Sequence, residues 1–271
     1  MPWHRHVILT RFNVPTMGRE ADVRAKTGWL DRRFDLFERF CLPSVAGQTR
    51  RDFSWLIYFD TRTPAPFRAR IAEAQRRFPF IALFRDALPL EDVRADVSAH
   101  LPTGKGRVLT TRLDNDDALA RDFVARVQDV GATHPTGTAF NFPTGFAWRK
   151  GWVFGARDES NPFASVVEDA LEFQTIWARP HAVLGEAFRL IQIEDGPAWL
   201  QVIHGDNVTN RIKGRQRPGS VLGDRFCINP WENTPHPSRG AVLVEGLIHY
   251  PLRHMREVAI RGVKPFLKIL R

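Results

Sequence analysis

The chain has 271 residues, 43% hydrophobic and 25% charged, a balance that excludes a disordered polymer and allows one large globular core. Its formal net charge of +9 favours a polyanionic partner (nucleic acid, anionic lipid or a phosphorylated substrate) without choosing among them. Apolar stretches such as Trp55 to Phe59 are too short to cross a bilayer, and Val7-Ile8-Leu9 behind His4, Arg5 and His6 is strand-sized rather than the core of a secretory signal, so a cytoplasmic protein is expected.

In chain order, His6 to Phe12 reads as a buried strand. Arg32 to Val45 follows, with Phe34, Phe37, Phe40, Cys41 and Val45 at helical spacings of three and four, and Pro43 kinking or ending the last turn. Phe53 to Phe59 is a second strand ending at Asp60. Pro64 and Pro66 open a helix through Phe67, Ile71 and Ala74, since a proline in the first turn removes no helical hydrogen bond. Phe80 to Phe84 is a third strand, Leu90 to His100 a helix, and Val108 to Leu113 a fourth strand running into Asp114-Asn115-Asp116-Asp117. This alternation predicts an α/β fold with a mostly parallel central sheet flanked by helices, whose ligands sit at the carboxyl ends of the strands. Asp60 and Asp114 both fall at such ends.

Beyond Val130 the rhythm loosens. Gly137 to Phe142, Phe146 to Phe154 and Trp199 to His204 read as strands, Gly214 to Pro237 as a long loop, and the tail from Leu252 as a helix with Gly262 and Pro265 as weak points. The expected organisation is one catalytic domain over 1–250, divided into a nucleotide-binding half (1–117) and an acceptor half (118–250), with a basic helix over 251–271. Cys41 and Cys227 have neither metal spacing nor a disulfide framework and read as buried thiols. No nucleic-acid-binding signature is present, and nucleic acid is not an expected partner.

An Asp-x-Asp at a strand end can turn two carboxylates onto one cation. Hard oxygen ligands suit Mg²⁺ or Mn²⁺, which would bridge a diphosphate and neutralise charge growing on a leaving group. Asp114 and Asp116 are the candidate metal ligands. The plainer reading is a polar turn capping a helix that starts near Ala118. An EF-hand is excluded, because Ala118 stands at the fifth position and no glycine follows. Lys105, in Pro102-Thr103-Gly104-Lys105-Gly106, lacks P-loop spacing.

Ser44-Val45-Ala46-Gly47-Gln48-Thr49, then Asp52-Phe53 and the strand to Asp60, resembles the start of family 2-type glycosyltransferases. Thr111-Arg112-Leu113-Asp114-Asn115-Asp116-Asp117 looks like the metal motif of that superfamily. A fuller pattern resembles a rhamnosyltransferase family: Arg11-Phe12-Asn13, Trp55-Leu56-Ile57-Tyr58-Phe59-Asp60, Thr63-Pro64 and Trp199-Leu200-Gln201-Val202-Ile203-His204-Gly205, covering the chain to about Asn210. The resemblance implies a GT-A fold, a nucleotide-diphosphate sugar donor, a divalent cation and a glycan or lipid-linked acceptor. It places Arg11, Asn13, Asp60, Arg112 and Asp114 at the donor, and rhamnose comes from the family's name alone. One departure is that the Asn-Gly-rich stretch expected before the metal motif is replaced by the short run around Lys105.

An inverting transferase needs a carboxylate to deprotonate the acceptor. In the family this comes from a downstream Glu-Asp pair, and both Glu168-Asp169 and Glu194-Asp195 qualify; Asp195 is preferred, with Glu168 second. His204, at a predicted strand end, is a candidate third metal ligand, its alternative being an ordinary hydrogen-bonded histidine. Arg253 to Arg271 mixes five further cations with Ile260, Val263, Phe266, Leu267, Ile269 and Leu270, as expected of a helix lying on an anionic membrane or of a last helix packed on the domain. The competing classes are a nucleotidyl- or phosphotransferase, against which Arg11-Phe12-Asn13-Val14-Pro15 stands where a glycine-rich loop belongs, and a sugar-binding module with a vestigial site.

Overall fold

The computed structural model describes residues 6–102, 104–205, 212, 214–223, 225–228 and 236–256. In chain order the elements are β1 (His6–Arg11), α1 (Arg19–Arg24), α2 (Trp29–Leu36), α3 (Leu42–Ala46), β2 (Ser54–Asp60), α4 (Ala65–Arg77), β3 (Ile81–Arg85), α5 (Leu90–Ala99), β4 (Arg107–Arg112), β5 (Ala118–Leu119) and α6 (Phe123–Thr133). There follow β6 (Thr138–Asn141), β7 (Thr144–Arg149), β8 (Trp152–Arg157), β9 (Ser165–Asp169), β10 (Arg189–Gln192), β11 (Trp199–Val202), β12 (Gln216–Arg217), α7 (Ser220–Gly223) and α8 (Arg239–Val244). The strand and helix alternation read from the first hundred residues is present, with ends shifted by a residue or two.

Seven strands form one sheet in the order β10-β6-β9-β4-β1-β2-β3. Val7, Ile8, Leu9 and Trp55 to Phe59 are fully apolar runs because β1 and β2 are central and covered on both faces. The sheet is mixed: the other pairings are parallel, and β9 runs antiparallel to both β4 and β6. Sequence reading missed this strand because it carries an acid. Glu168 is buried there, and its carboxylate accepts the backbone N–H groups of Gln174 (2.7 Å) and Thr175 (3.0 Å).

A second sheet has the order β12-β8-β7-β11-β5. The single strand expected over Phe146 to Phe154 is a hairpin. Its turn residues Lys150 and Gly151 have φ of 46° and 84°, the left-handed pair that a two-residue hairpin connection requires. Ala118 and Leu119 begin no helix; they pair with β11, and α6 starts at Phe123. The loop expected over Gly214 to Pro237 contains β12 and α7 within its described part.

Pro43 does not stop its helix. A π-helical turn, Phe37–Cys41, joins α2 to α3, and the Leu42 N–H reaches back to Phe37 O. The wider turn relieves the clash of a proline ring with the preceding helical carbonyls. The face formed by Phe34, Phe37, Phe40, Cys41 and Val45 is buried as its spacing predicts. One apolar cluster runs from Ile8, Phe37 and Trp55 to Phe123, Trp199 and Phe226, so the two halves share a core. A second π turn, Glu245–His249, extends α8 into a helix that continues to residue 256, again just ahead of a proline, Pro251. Residues 257–271, most of the expected basic helix, lie outside the described residues. Among the described residues no helix is long and apolar enough to cross a membrane.

Candidate functional site

β1, β2 and β4 run parallel and end together at Arg11, Asp60 and Arg112. The chain leaving β4 stays in register for one more bond, Leu113 N–H to Leu9 O (3.1 Å), and then enters the acidic cluster. Asn115 fixes that turn: its amide donates to Arg11 O (2.9 Å) and Phe12 O (2.8 Å). Asn13 does the same between β1 and β2. Its side-chain oxygen accepts the Asp60 N–H (3.0 Å), and its amide donates to Thr63 Oγ1 (3.1 Å). Both asparagines are buried, and they set the spacing of the three strand ends.

Asp116 is buried at the centre. Its Oδ2 accepts from Arg33 Nη1 at 2.6 Å and from His204 Nε2 at 2.8 Å. Burial opposes its charge, but Arg33 and His204 outweigh burial and hold its carboxyl below the usual range. Asp117 turns inward instead, accepting the Val202 N–H (2.8 Å) at the end of β11. Burial, then repulsion from Asp116 and Asp114, pushes its carboxyl well above the usual range. Asp114 is more open and receives Arg112 at 3.2 Å. Beneath the three, the buried Cys41 thiol is raised by burial and by the neighbouring aspartates.

Asp60 is held by Arg62 Nε (3.2 Å) and the Arg62 N–H (2.9 Å) on Oδ1, and by Arg24 (3.3 Å) on Oδ2. Burial opposes its charge too, and these contacts, led by the Arg62 N–H, bring its carboxyl below its ordinary value. Arg24 also donates to Asn13 O, while burial and the nearby Arg11 and Arg62 disfavour its own charge. Trp29 carries Arg24 and Arg33 over its ring, with the guanidinium carbons 5.7 and 5.3 Å from the centroid. The strand ends thus gather Arg24, Arg33, Arg62 and Arg112 around the carboxylates of Asp60, Asp114 and Asp116, at the mouth of a parallel-sheet edge. Buried Arg24 Nε and Trp29 Nε1 are donors without hydrogen-bond partners among the described residues.

A family model described as "Putative rhamnosyl transferase" matches residues 5–216, most of the chain. The chain belongs to this glycosyltransferase family. No curated protein matches it. Of solved structures, residues 1–349 of S. aureus TarS superpose with a TM-score of 0.42 at 9% identity, covering 73% of this chain and 60% of that one. A second crystal structure of S. aureus TarS gives 0.39 at 9% identity, covering 73% and 37%. This transferase chain therefore spans less than two thirds of either TarS structure.

In this family member, Arg11, Asn13, Asp60, Arg112, Asp114, Asp116 and His204 all meet at the one strand edge. The two candidate bases do not. Glu168 pairs in register with Val108, at the opposite end of β4 from Asp114. Its carboxyl, raised by burial, is occupied by two backbone N–H groups. Asp195 precedes β11, whose far end meets Asp117, so at least about 10 Å of strand separates them. It is 66% exposed and bound by Arg126 Nε at 2.9 Å. Its neighbour Glu194 is held by Arg157 at 2.6 Å.

Arg24, Trp29, Arg33 and Arg62 escaped sequence reading. Arg33 lies just before the apolar face that begins at Phe34, and Trp29 and Arg33 are spaced i, i+4, a separation that stacks two side chains on one helix face. That pair was the only available signal.

The metal question turns on Asp116 and His204. Among the described residues no group of three His, Cys, Asp or Glu side chains could hold an ion. Two convergent ligands are nevertheless enough for a cation completed by substrate phosphates, as magnesium commonly is. The donor set fits on that basis, with Arg33 sharing the same carboxylate oxygen.

Proposed function

We propose that the protein is a GT-A-type transferase that moves a sugar from a nucleotide-diphosphate donor to a glycan or lipid-linked acceptor, as in building a surface polysaccharide or glycolipid. Rhamnose is the sugar that the family description suggests. The observation that carries the reading is the gathering of guanidinium groups at the strand edge, with the Arg33–Asp116–His204 cluster at its centre. The oxygens of a diphosphate suit the unpartnered N–H donors of Arg24 and Trp29 beside these guanidinium groups.

In this reading Asn13 and Asp60 anchor the nucleoside end of the donor, and Arg24, Arg33 and Arg62 take the phosphates. Fixed cations beside the diphosphate stabilise the charge that grows on it as the glycosyl bond breaks, without reorganising at the moment of reaction. Asp116 and His204 would hold Mn²⁺ or Mg²⁺, which would supply further neutralisation of the leaving diphosphate when bound. The acceptor's proton is not assigned to Glu168, which is closed inside the sheet.

A panel of UDP-, GDP- and dTDP-sugars incubated with the enzyme and candidate acceptors, read by mass spectrometry, tests the proposal. Release of one nucleoside diphosphate coupled to a glycosylated acceptor is expected. Release of nucleoside monophosphate instead would point to the nucleotidyl- or phosphotransferase alternative, and intact donors throughout to a sugar-binding module.

A further inference from the structure

A helix of a globular protein turns its apolar side to the core. The helix over residues 239–256 does the reverse. Its buried side chain is an acid: Glu245 is 5% exposed and is paired within the helix with Arg253 Nη1 (3.1 Å) and His249 Nδ1 (3.3 Å), while Ala241, Val242 and Tyr250 are half-buried. Arg253 lies over the Phe154 ring of β8, and Arg215 over Tyr250. Facing out are Leu243 (61% exposed), Leu247 (71%), Ile248 (52%), Leu252 (55%) and Met255 (60%). Leu243 and Leu247, and Ile248 and Leu252, are spaced i, i+4, and the stripe from Leu243 to Met255 is about 18 Å long at 1.5 Å per residue.

We propose that this helix docks the protein on an anionic lipid surface, with Leu243, Leu247, Ile248, Leu252 and Met255 entering the boundary between headgroups and acyl chains. Charge selects the occupant. Arg239, Arg253 and Arg256 belong to the helix, and Arg261, Lys264, Lys268 and Arg271 follow in the sequence. Against them stand Glu245, which is paired with Arg253, and Glu257. A second copy seated on this face would bring two such cationic segments together. A layer of anionic headgroups complements them while the apolar stripe enters beneath it. The helix meets β8 through Arg253, whose guanidinium lies over Phe154, and only β7 separates β8 from β11, the strand that meets Asp117. The lipid surface therefore lies beside the acceptor half. The inference deepens the transferase reading, on which its consequence rests: the acceptor is carried on a lipid.

The test is co-sedimentation of the full chain with phosphatidylcholine vesicles, with and without about 30% phosphatidylglycerol. Binding to the anionic vesicles is expected to exceed binding to neutral ones about ten-fold or more, and to fall at high salt. The double variant Leu243→Glu/Leu247→Glu is expected to lose it about ten-fold while melting as the wild type does, because both positions are exposed. Absence of wild-type binding, or equal binding by the variant, overturns the proposal. So does a dimer in solution that Leu247→Glu splits in the absence of any vesicle binding. Nucleoside-diphosphate binding by the same variant separates the two questions, since it is expected unchanged whether or not vesicles bind.

Discussion

The strand edge around Asp116 and the helix over 239–256 depart from the ordinary distribution of polarity in opposite directions. At the edge, charged groups are buried, and each carboxylate has a partner within the chain: Asp116 has Arg33 and His204, and Asp60 has Arg24 and Arg62. On the helix, large apolar groups are exposed, while Glu245 is buried against Arg253 of the same helix. Burying ions costs more than most pairs recover, so a cluster of them is weak evidence for stability and better evidence for a site. Exposing leucines on a helix gives the folded chain nothing, which makes the stripe a surface for something else.

Substitutions can break this contrast at either end, and their expected effects differ widely in size. The largest belongs to Asp116→Ala, which removes the centre of the cluster; kcat/KM for sugar transfer should fall about a thousand-fold, the scale seen when fixed electrostatic groups are lost. Arg33→Met comes next. It leaves Asp116 with His204 alone, and breaking a buried pair from one side costs about 3–5 kcal/mol, read as a lowered melting temperature. Arg33→Lys should recover part of that loss.

Acid sharpens the comparison with a buried group that has partners but no charge. His6 accepts no countercharge: it is bonded to Thr111 Oγ1 (2.9 Å) and the Gln128 amide (3.2 Å), and burial pushes it from 6.5 down to about 3. Between those values the unfolded chain binds a proton that the native one refuses. Stability contributed by this site is complete above about 6.5 and is lost as pH falls toward 3, by up to about 1.4 kcal/mol per unit. Chemical denaturation at several pH values should show a flatter acid limb in His6→Gln. The smallest effects lie outside both regions' interiors. Asp195→Asn should keep kcat within about three-fold, because its carboxylate serves an exposed ion pair. Leu247→Glu should leave unfolding free energy within about 0.5 kcal/mol, as exposed positions do.

Much of the strand edge was legible because its elements are local. Val7-Ile8-Leu9, the run from Trp55 to Phe59 and Val108 to Leu113 are strands whose composition betrays central burial, and Asp60 and Asp114 follow them directly. The spacing from Phe34 to Val45 gave the helix, but not that a π turn would carry it past Pro43. What sequence could not supply was long-range pairing. β9 is masked by Glu168, whose partners come from residues 174 and 175. Arg33 meets Asp116 across 83 positions, and its local mark is no more than the i, i+4 spacing from Trp29. The same gap applies to the candidate bases, since separation along the chain suggests Glu168 and Asp195 without saying which end of β4 or β11 they occupy. The turn at Lys150-Gly151 was local and still missed, because a lysine is a poor advertisement for a positive φ.

Calorimetric titration of UDP, GDP and dTDP into the wild type, Asp116→Ala and Arg33→Met, each with Mn²⁺ and with a chelator, bears most directly on the strand edge as a diphosphate site. One nucleotide should bind the wild type with a clear preference over the other two and weaken at least about ten-fold in both variants. Equal, feeble heats for all three nucleotides, or an affinity indifferent to Arg33 and Asp116 alike, would contradict it.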